Sequence, residues 1–189
     1  SKSRTFHEVL PNLYHPCNYS YDQLLDGLSF LGSNYEKFIE LFTAQVEDVY
    51  GVDTSKTYFD CTNFYFEIDR EDDFRRKGPS KENRKDPIVG LGLLLDSHQI
   101  PIGMKMYPGN ESEKPVLRDV INHLKKQNNI TGKTIHVADK GLNCAQNIAF
   151  SKTNADGYLF SKSVKGLSEK EKVWVLLEHD FIEIKDKRD

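Results

Sequence analysis

The sequence predicts an α/β protein: a mixed five-stranded sheet with helices on its faces, preceded by an N-terminal helical segment. Three observations predict it. Apolar residues recur at helical spacing over residues 21–50. From Lys56 the pattern changes to aromatic and branched runs of strand character. Later the chain alternates helix, strand, helix and strand.

Residues 1–17 read as irregular, because Pro11 and Pro16 break any helix. Leu24, Leu25 and Leu28 then share one helical face, and Phe38, Leu41, Phe42, Val46 and Val49 form a second apolar stripe. Gly32-Ser33-Asn34 separates the two helices, with Ser33 or Asn34 as a cap for the second. Gly51 ends it.

Thr57-Tyr58-Phe59-Asp60-Cys61-Thr62-Asn63-Phe64-Tyr65-Phe66-Glu67 reads as the first strand. Acidic residues follow, then a basic stretch over residues 75–85. The apolar run Pro87-Ile88-Val89-Gly90-Leu91-Gly92-Leu93-Leu94-Leu95 predicts a second strand buried on both faces. Asp96-Ser97-His98-Gln99 is a turn, and Ile100, Ile102, Met104 and Met106 alternate in a third strand that ends at Pro108-Gly109-Asn110. Ser112 caps a helix whose first turn holds Glu113 and Pro115. Val116, Leu117, Val120, Ile121 and Leu124 form its buried stripe. The fourth strand is residues 133–139. Asn143 caps a short helix to about Lys152, and Gly157-Tyr158-Leu159-Phe160 is the fifth strand. The first three strands, joined by turns, are expected to be antiparallel neighbours, and the crossovers make the later pairings parallel. That element order is the order of a ribonuclease H-like fold. The expected division is a helical segment at 1–55, a partial core at 56–165 and the start of an insertion or extension at 166–189.

Composition narrows the function. The chain has 189 residues, 38% hydrophobic and 29% charged, enough for one domain with a real core. No apolar run is long enough to span a membrane, and residues 1–8 lack the apolar core of a signal peptide. Cys17, Cys61 and Cys144 include no Cys-x-x-Cys pair, which argues against a disulfide framework or structural zinc and for a reducing cytoplasm. The net charge of −3 means that any nucleic-acid contact comes from a local patch. The patch at hand is Arg75, Arg76, Lys77, Lys81, Arg84 and Lys85 set against Glu82 and Asp86. It either tracks DNA phosphates or is a solvated hairpin loop.

Two carboxylates stand in odd places. Asp60 lies mid-strand among aromatic residues, and Asp139 ends the strand Ile135-His136-Val137-Ala138. Aspartate is disfavoured in strands, and a buried charge is costly unless it is paired or metal-bound. If their strands are neighbours, the two can hold hard divalent cations, which prefer oxygen ligands. A solvated edge residue and a plain turn are the alternatives. No histidine pair has zinc spacing. Cys61 lacks a histidine partner for nucleophilic chemistry. Gly90 and Gly92 lie inside a strand rather than in a phosphate loop.

Five stretches in order resemble the bacterial DDE-type insertion-sequence transposases whose third acid lies in a Tyr-x-x-Arg-x-x-x-Glu-x-x-x-x-x-x-Lys signature. They are residues 60–67, residues 78–93, Ile100-Pro101-Ile102-Gly103, Pro108-Gly109-Asn110-Glu111-Ser112-Glu113, and Val137-Ala138-Asp139-Lys140-Gly141. The resemblance covers roughly residues 56–165. It implies a ribonuclease H-like domain that cuts and joins DNA at transposon ends and target, with two magnesium ions (manganese as a substitute) held by three carboxylates. It implies a homodimer for the full-length protein and gives Asp60 and Asp139 the first two acid roles. The third signature is absent. Glu169, Glu171, Glu178 and Glu183 lie in a charged stretch without its pattern. The expectation is therefore a fragment that ends before the last acid and is inactive alone. A metal-dependent nuclease of the same fold and a non-catalytic DNA-binding or assembly remnant are the alternatives.

Overall fold

The computed structural model describes residues 7–8, 19–79, 85–127 and 132–177. The chain divides into two compact units, Ser1–Val52 and Asp53–Asp189.

In the first unit, helix α1 spans Tyr21–Ser33 and α2 spans Tyr35–Tyr50. A capping box opens α1: the Ser20 hydroxyl accepts from the Gln23 N–H, and the Gln23 side chain accepts from the Ser20 N–H. Asn34 alone interrupts the helical run. Its side chain does not cap α2 as expected; it donates to the Phe30 carbonyl at 2.8 Å. Gly51, at φ 73°, ends α2 in a conformation that favours glycine. The expected apolar stripe is mostly uncovered. Phe38, Leu41, Phe42 and Val49 are exposed, and only Val46 and Thr43 are buried on α2.

The second unit holds strands β1 (Lys56–Tyr65), β2 (Ile88–Leu95) and β3 (Pro101–Pro108), helix α3 (Lys114–Lys126), strand β4 (Ile135–Ala138), helix α4 (Ala145–Thr153) and strand β5 (Gly157–Phe160). A 3-10 turn (Val164–Gly166) and helix α5 (Glu169–Val175) follow. The sheet order is β3-β2-β1-β4-β5. β1 pairs antiparallel with β2 and parallel with β4; β2 pairs antiparallel with β3, and β4 parallel with β5. This is the mixed, ribonuclease H-like sheet that the element order predicts. The β2–β3 turn is fastened by Asp96, whose buried carboxylate accepts from the His98 and Ile100 N–H groups at 2.9 and 2.8 Å.

Residues directly opposite one another across the strands share a face. On one face α3 packs over β2 and β3 and against α4. Leu94, Ile102, Leu117, Ile121 and Leu142 have no exposed surface there. Gly92 makes room for this layer. A Cβ on it would lie 2.6 Å from the Phe59 ring and 2.8 Å from Val116. On the other face Tyr58, Leu91, Leu93, Leu95, Met104, Met106 and Val137 are only half-buried. β2 is thus not buried on both faces, as its apolar run suggested, because the helices that pack on it lie on one side among the described residues. Asn143 does not cap α4 either. Cys144 holds the cap position, and the Asn143 amide donates to the Ser161 carbonyl at 3.0 Å.

Leu117 is the pivot between α3 and the sheet. Leu117→Ala leaves a cavity under the helix, and its expected cost is about 2–5 kcal/mol of unfolding free energy. Urea denaturation of the variant against the wild-type protein measures it.

Candidate active site

Asp60 and Asp139 come together through the β1–β4 pairing. The last paired residues of that register are Phe59 and Ala138. Asp60 follows the first and Asp139 follows the second, so the two acids stand at corresponding positions on adjacent parallel strands. Both share the face with Tyr58 and Val137, which are register partners. Both are exposed, and both line one shallow depression with Tyr58, Leu93, Leu95 and Val137. Burial therefore does not explain the strand aspartate; Asp60 points to the uncovered side.

The carboxylates are oriented by backbone. Asp60 Oδ1 accepts from the Cys61 N–H at 2.8 Å, and Asp139 Oδ1 accepts from the Gly141 N–H at 2.9 Å. The depression opens where β4 ends, at the carboxyl end of a parallel strand. Open α/β sheets commonly hold their ligands there.

A third carboxylate was not marked by the sequence. Glu113, at the N-terminus of α3, stands over Gly141. A Cβ on that glycine would lie 2.4 Å from Glu113 Oε1 and 3.2 Å from Asp139 Oδ1. Gly141 thus lets the loop after Asp139 pass beneath Glu113. No spacing rule links positions 113 and 139, and the one sequence signal was a glycine two residues after the acid. Nearby, burial pushes the Tyr107 phenol far up. Cys61 adds to that shift, then the charges of Glu113 and Asp60.

The described acids of the charged tail are held in local ion pairs. Glu169 pairs with Lys172 at 2.7 Å. Glu171 pairs with Lys162 at 2.9 Å and closes a capping box with Ser168. Lys162 and then Ser168 lower the Glu171 carboxyl to about 2. Glu178 and Glu183 lie outside the described residues. Among the described residues no group of three His, Cys, Asp or Glu side chains is placed to hold a metal ion.

The basic run is partly neutralised by the acids before it. Arg75 pairs with Asp72 at 2.5 Å and stacks over the Phe66 ring at 5.6 Å. Hydrogen bonds from Arg75 and Phe74 hold the Asp72 carboxyl down at about 2. Arg76 lies 3.6 Å from Glu71 and 3.7 Å from Asp73, and its backbone pairs with Ile88. The Lys77 N–H donates to Glu71 at 3.0 Å. Lys81 and Arg84 lie outside the described residues. Lys85 is exposed.

Behind the acids, on the helix-covered face, lies a buried polar chain. The Thr57 hydroxyl meets His136 Nδ1 at 2.8 Å, and His136 Nε2 meets Asp156 Oδ2 at 3.1 Å. Lys125 reaches the same oxygen at 2.6 Å. Desolvation lowers the His136 pKa, with Lys125 acting in the same direction and Asp156 opposing it. His136 is thus held at both ring nitrogens, by partners that the sequence did not indicate.

These elements define a ribonuclease H-like sheet with one acid in the middle of its central strand and the other just past the end of the parallel strand beside it. Among solved structures, one described as the Mos1 transposase paired-end complex with left transposon end is similar, at a TM-score of 0.39 and 12% identity. The similarity covers 78% of this chain and 45% of that one, so this chain spans less than half of its length. A likeness this distant assigns no residue and no activity. No protein-family model matches the sequence, and no curated protein does. No helix among the described residues is long and apolar enough to cross a membrane.

The His136 shift has a definite sign. Its folded-state pKa lies below the ordinary value of 6.5. Above that value both states are neutral and the contribution is fully present. As pH falls below 6.5, the unfolded chain takes up a proton that the native histidine resists, so stability is lost until pH reaches the lowered pKa. The urea midpoint should therefore fall between pH 7 and pH 5. Replacing His136 by Gln should flatten that slope.

Proposed function

We propose that this chain carries the first two metal-binding carboxylates of a DDE-type insertion-sequence transposase core, which cleaves DNA and joins the freed ends. One observation carries the reading: Asp60 and Asp139 stand at corresponding positions on adjacent parallel strands and open on one depression. The resemblance of residues 56–165 to that family supports it independently of the geometry.

The donor chemistry fits hard divalent ions, which take carboxylate oxygens. The fit is partial, since the described residues bring two acids and no three-ligand group. Under this reading Asp60 and Asp139 hold the ions, oriented by the Cys61 and Gly141 N–H groups. Magnesium or manganese bound there would supply an activated water and neutralise charge at phosphorus. DNA is the partner, with Lys77, Lys81, Arg84 and Lys85 as the phosphate contacts. Arg75 and Arg76 contribute less, because Asp72, Glu71 and Asp73 share their charge.

The lack of a three-ligand group among the described residues favours a second reading, a DNA-binding or assembly piece without its own chemistry. Cleavage assays separate the two. Asp60→Asn and Asp139→Asn should each lower magnesium-dependent cleavage of DNA ends in the whole protein. The loss should exceed the roughly 10–100-fold that removing even an outer partner of a metal ligand costs. DNA affinity should be unchanged. Cleavage that survives either substitution refutes the first reading, and a wild-type protein that binds but never cleaves supports the second.

Phosphate contacts are read from salt dependence. Lys77→Ala and Lys85→Ala should each weaken DNA binding about equally for all sequences. Each should also reduce the slope of log affinity against log salt by about 1. Arg75→Ala should change the slope less than either lysine does.

A further inference from the structure

We infer that the buried chain Thr57–His136–Asp156–Lys125 is a positioning device that sets Asp139 against Asp60, with His136 at its centre. The inference rests on the reading of those two acids as metal ligands. It goes beyond that reading by assigning their placement to four residues on the helix-covered side of the sheet.

The geometry begins with register. Thr57 and His136 are paired residues in the β1–β4 ladder. Asp60 and Asp139 lie three residues further along the same two strands, so the polar pair and the acid pair are fixed by one register. β4 has only four residues, Ile135–Ala138. Its other side chains are Ile, Val and Ala, whose shape alone discriminates poorly between neighbouring registers. A slip by one residue would turn every side chain to the opposite face. A buried polar group resists slippage, because a wrong register leaves it without partners.

His136 is fastened on both sides of its strand. Thr57 belongs to β1, and Asp156 immediately precedes β5. The Thr57 and His136 side chains have almost no exposed surface, and that of Asp156 has none. The partners fix the tautomer. Nε2–H donates to the Asp156 carboxylate, so Nδ1 accepts from the Thr57 hydroxyl. Asp156 also accepts from the Thr134 N–H at 3.3 Å, just before β4, and from Lys125 in the last turn of α3. One carboxylate thus ties β4 at its start to the helix above it and to the strand beside it. What remains at the other end of β4 is the turn that carries Asp139, held by the Gly141 and Leu142 N–H groups.

Thr57→Val keeps the side-chain shape and removes the hydroxyl, and Thr57→Ser restores it. Two measurements are made on the whole protein. Amide hydrogen exchange is followed at residues 139–142 relative to α3. The magnesium concentration for half-maximal DNA cleavage is measured beside it. In Thr57→Val, exchange at residues 139–142 should rise roughly fivefold to tenfold over the change in α3. The magnesium requirement should rise with it, and Thr57→Ser should restore both. A merely structural role would lower stability in both regions alike and leave the magnesium requirement where it was; that result overturns the inference. Should Thr57→Val not fold, Asp156→Asn breaks the same chain and is read the same way. Exchange needs no metal and no DNA. It decides the positioning even if the wild-type protein proves unable to cleave, a result that would refute the proposed function instead.

Discussion

The pairing of β1 with β4 is the constraint on which the rest of the structure depends. β1 is the strand at which the sheet changes from antiparallel to parallel order. The parallel half is attached through four register pairs, and one of them is the buried Thr57–His136 contact. Such a short ladder has little apolar area to define it. An unpaired imidazole or hydroxyl in the same place would cost about 1–3 kcal/mol. The polar pair therefore contributes specificity beyond its small net energy, and the side-by-side placement of the two exposed acids follows from it.

The second consequence concerns faces. One face of the sheet is closed by α3 and α4, and Leu94, Ile102, Leu117 and Ile121 make its core. The opposite face carries Asp60, Asp139 and a set of half-buried leucines and methionines. A carboxylate on the closed face would need a partner or would have to neutralise. On the open face Asp60 keeps its hydration while its neighbours are apolar. An aspartate can therefore interrupt a strand of aromatic residues without unfolding it.

This division explains what was legible in the sequence. Alternation and turn chemistry identified all five strands, because both are local properties. The apolar run of β2 predicts burial on two faces, and the α2 pattern predicts one apolar stripe, yet Phe38, Leu41 and Val49 in it are exposed. Periodicity shows which residues share a face; what lies against that face is decided by distant parts of the chain. Caps failed for a related reason. Asn34 and Asn143 have the right chemistry, but each found a nearby carbonyl instead. Asp60 and Asp139 were legible as residue types in unusual places, and adjacency required only that β1 and β4 be neighbours. Glu113 and Asp156 were not legible. Their contacts, to the loop after Asp139 and to His136, come from the crossovers rather than from any spacing. The acids at positions 71–73 were in plain view, yet a turn was needed to fold them onto Arg75 and Arg76.

Charge ties the acids to the proposed chemistry. Burial and then Cys61 push the Tyr107 phenol up, and the charges of Glu113 and Asp60 act in the same direction. Glu113 also stands over the glycine that follows Asp139. Carboxylates thus gather at the carboxyl end of β4, in a chain of net charge −3. Arg75 and Arg76 have part of their charge offset by their own neighbours. A phosphodiester approaching that depression would be repelled unless cations stood between it and the acids. Divalent ions held by Asp60 and Asp139 would do so while also polarising phosphorus. On the proposed reading, then, metal binding is required before chemistry begins, because the same acids that hold the ions would otherwise exclude the substrate.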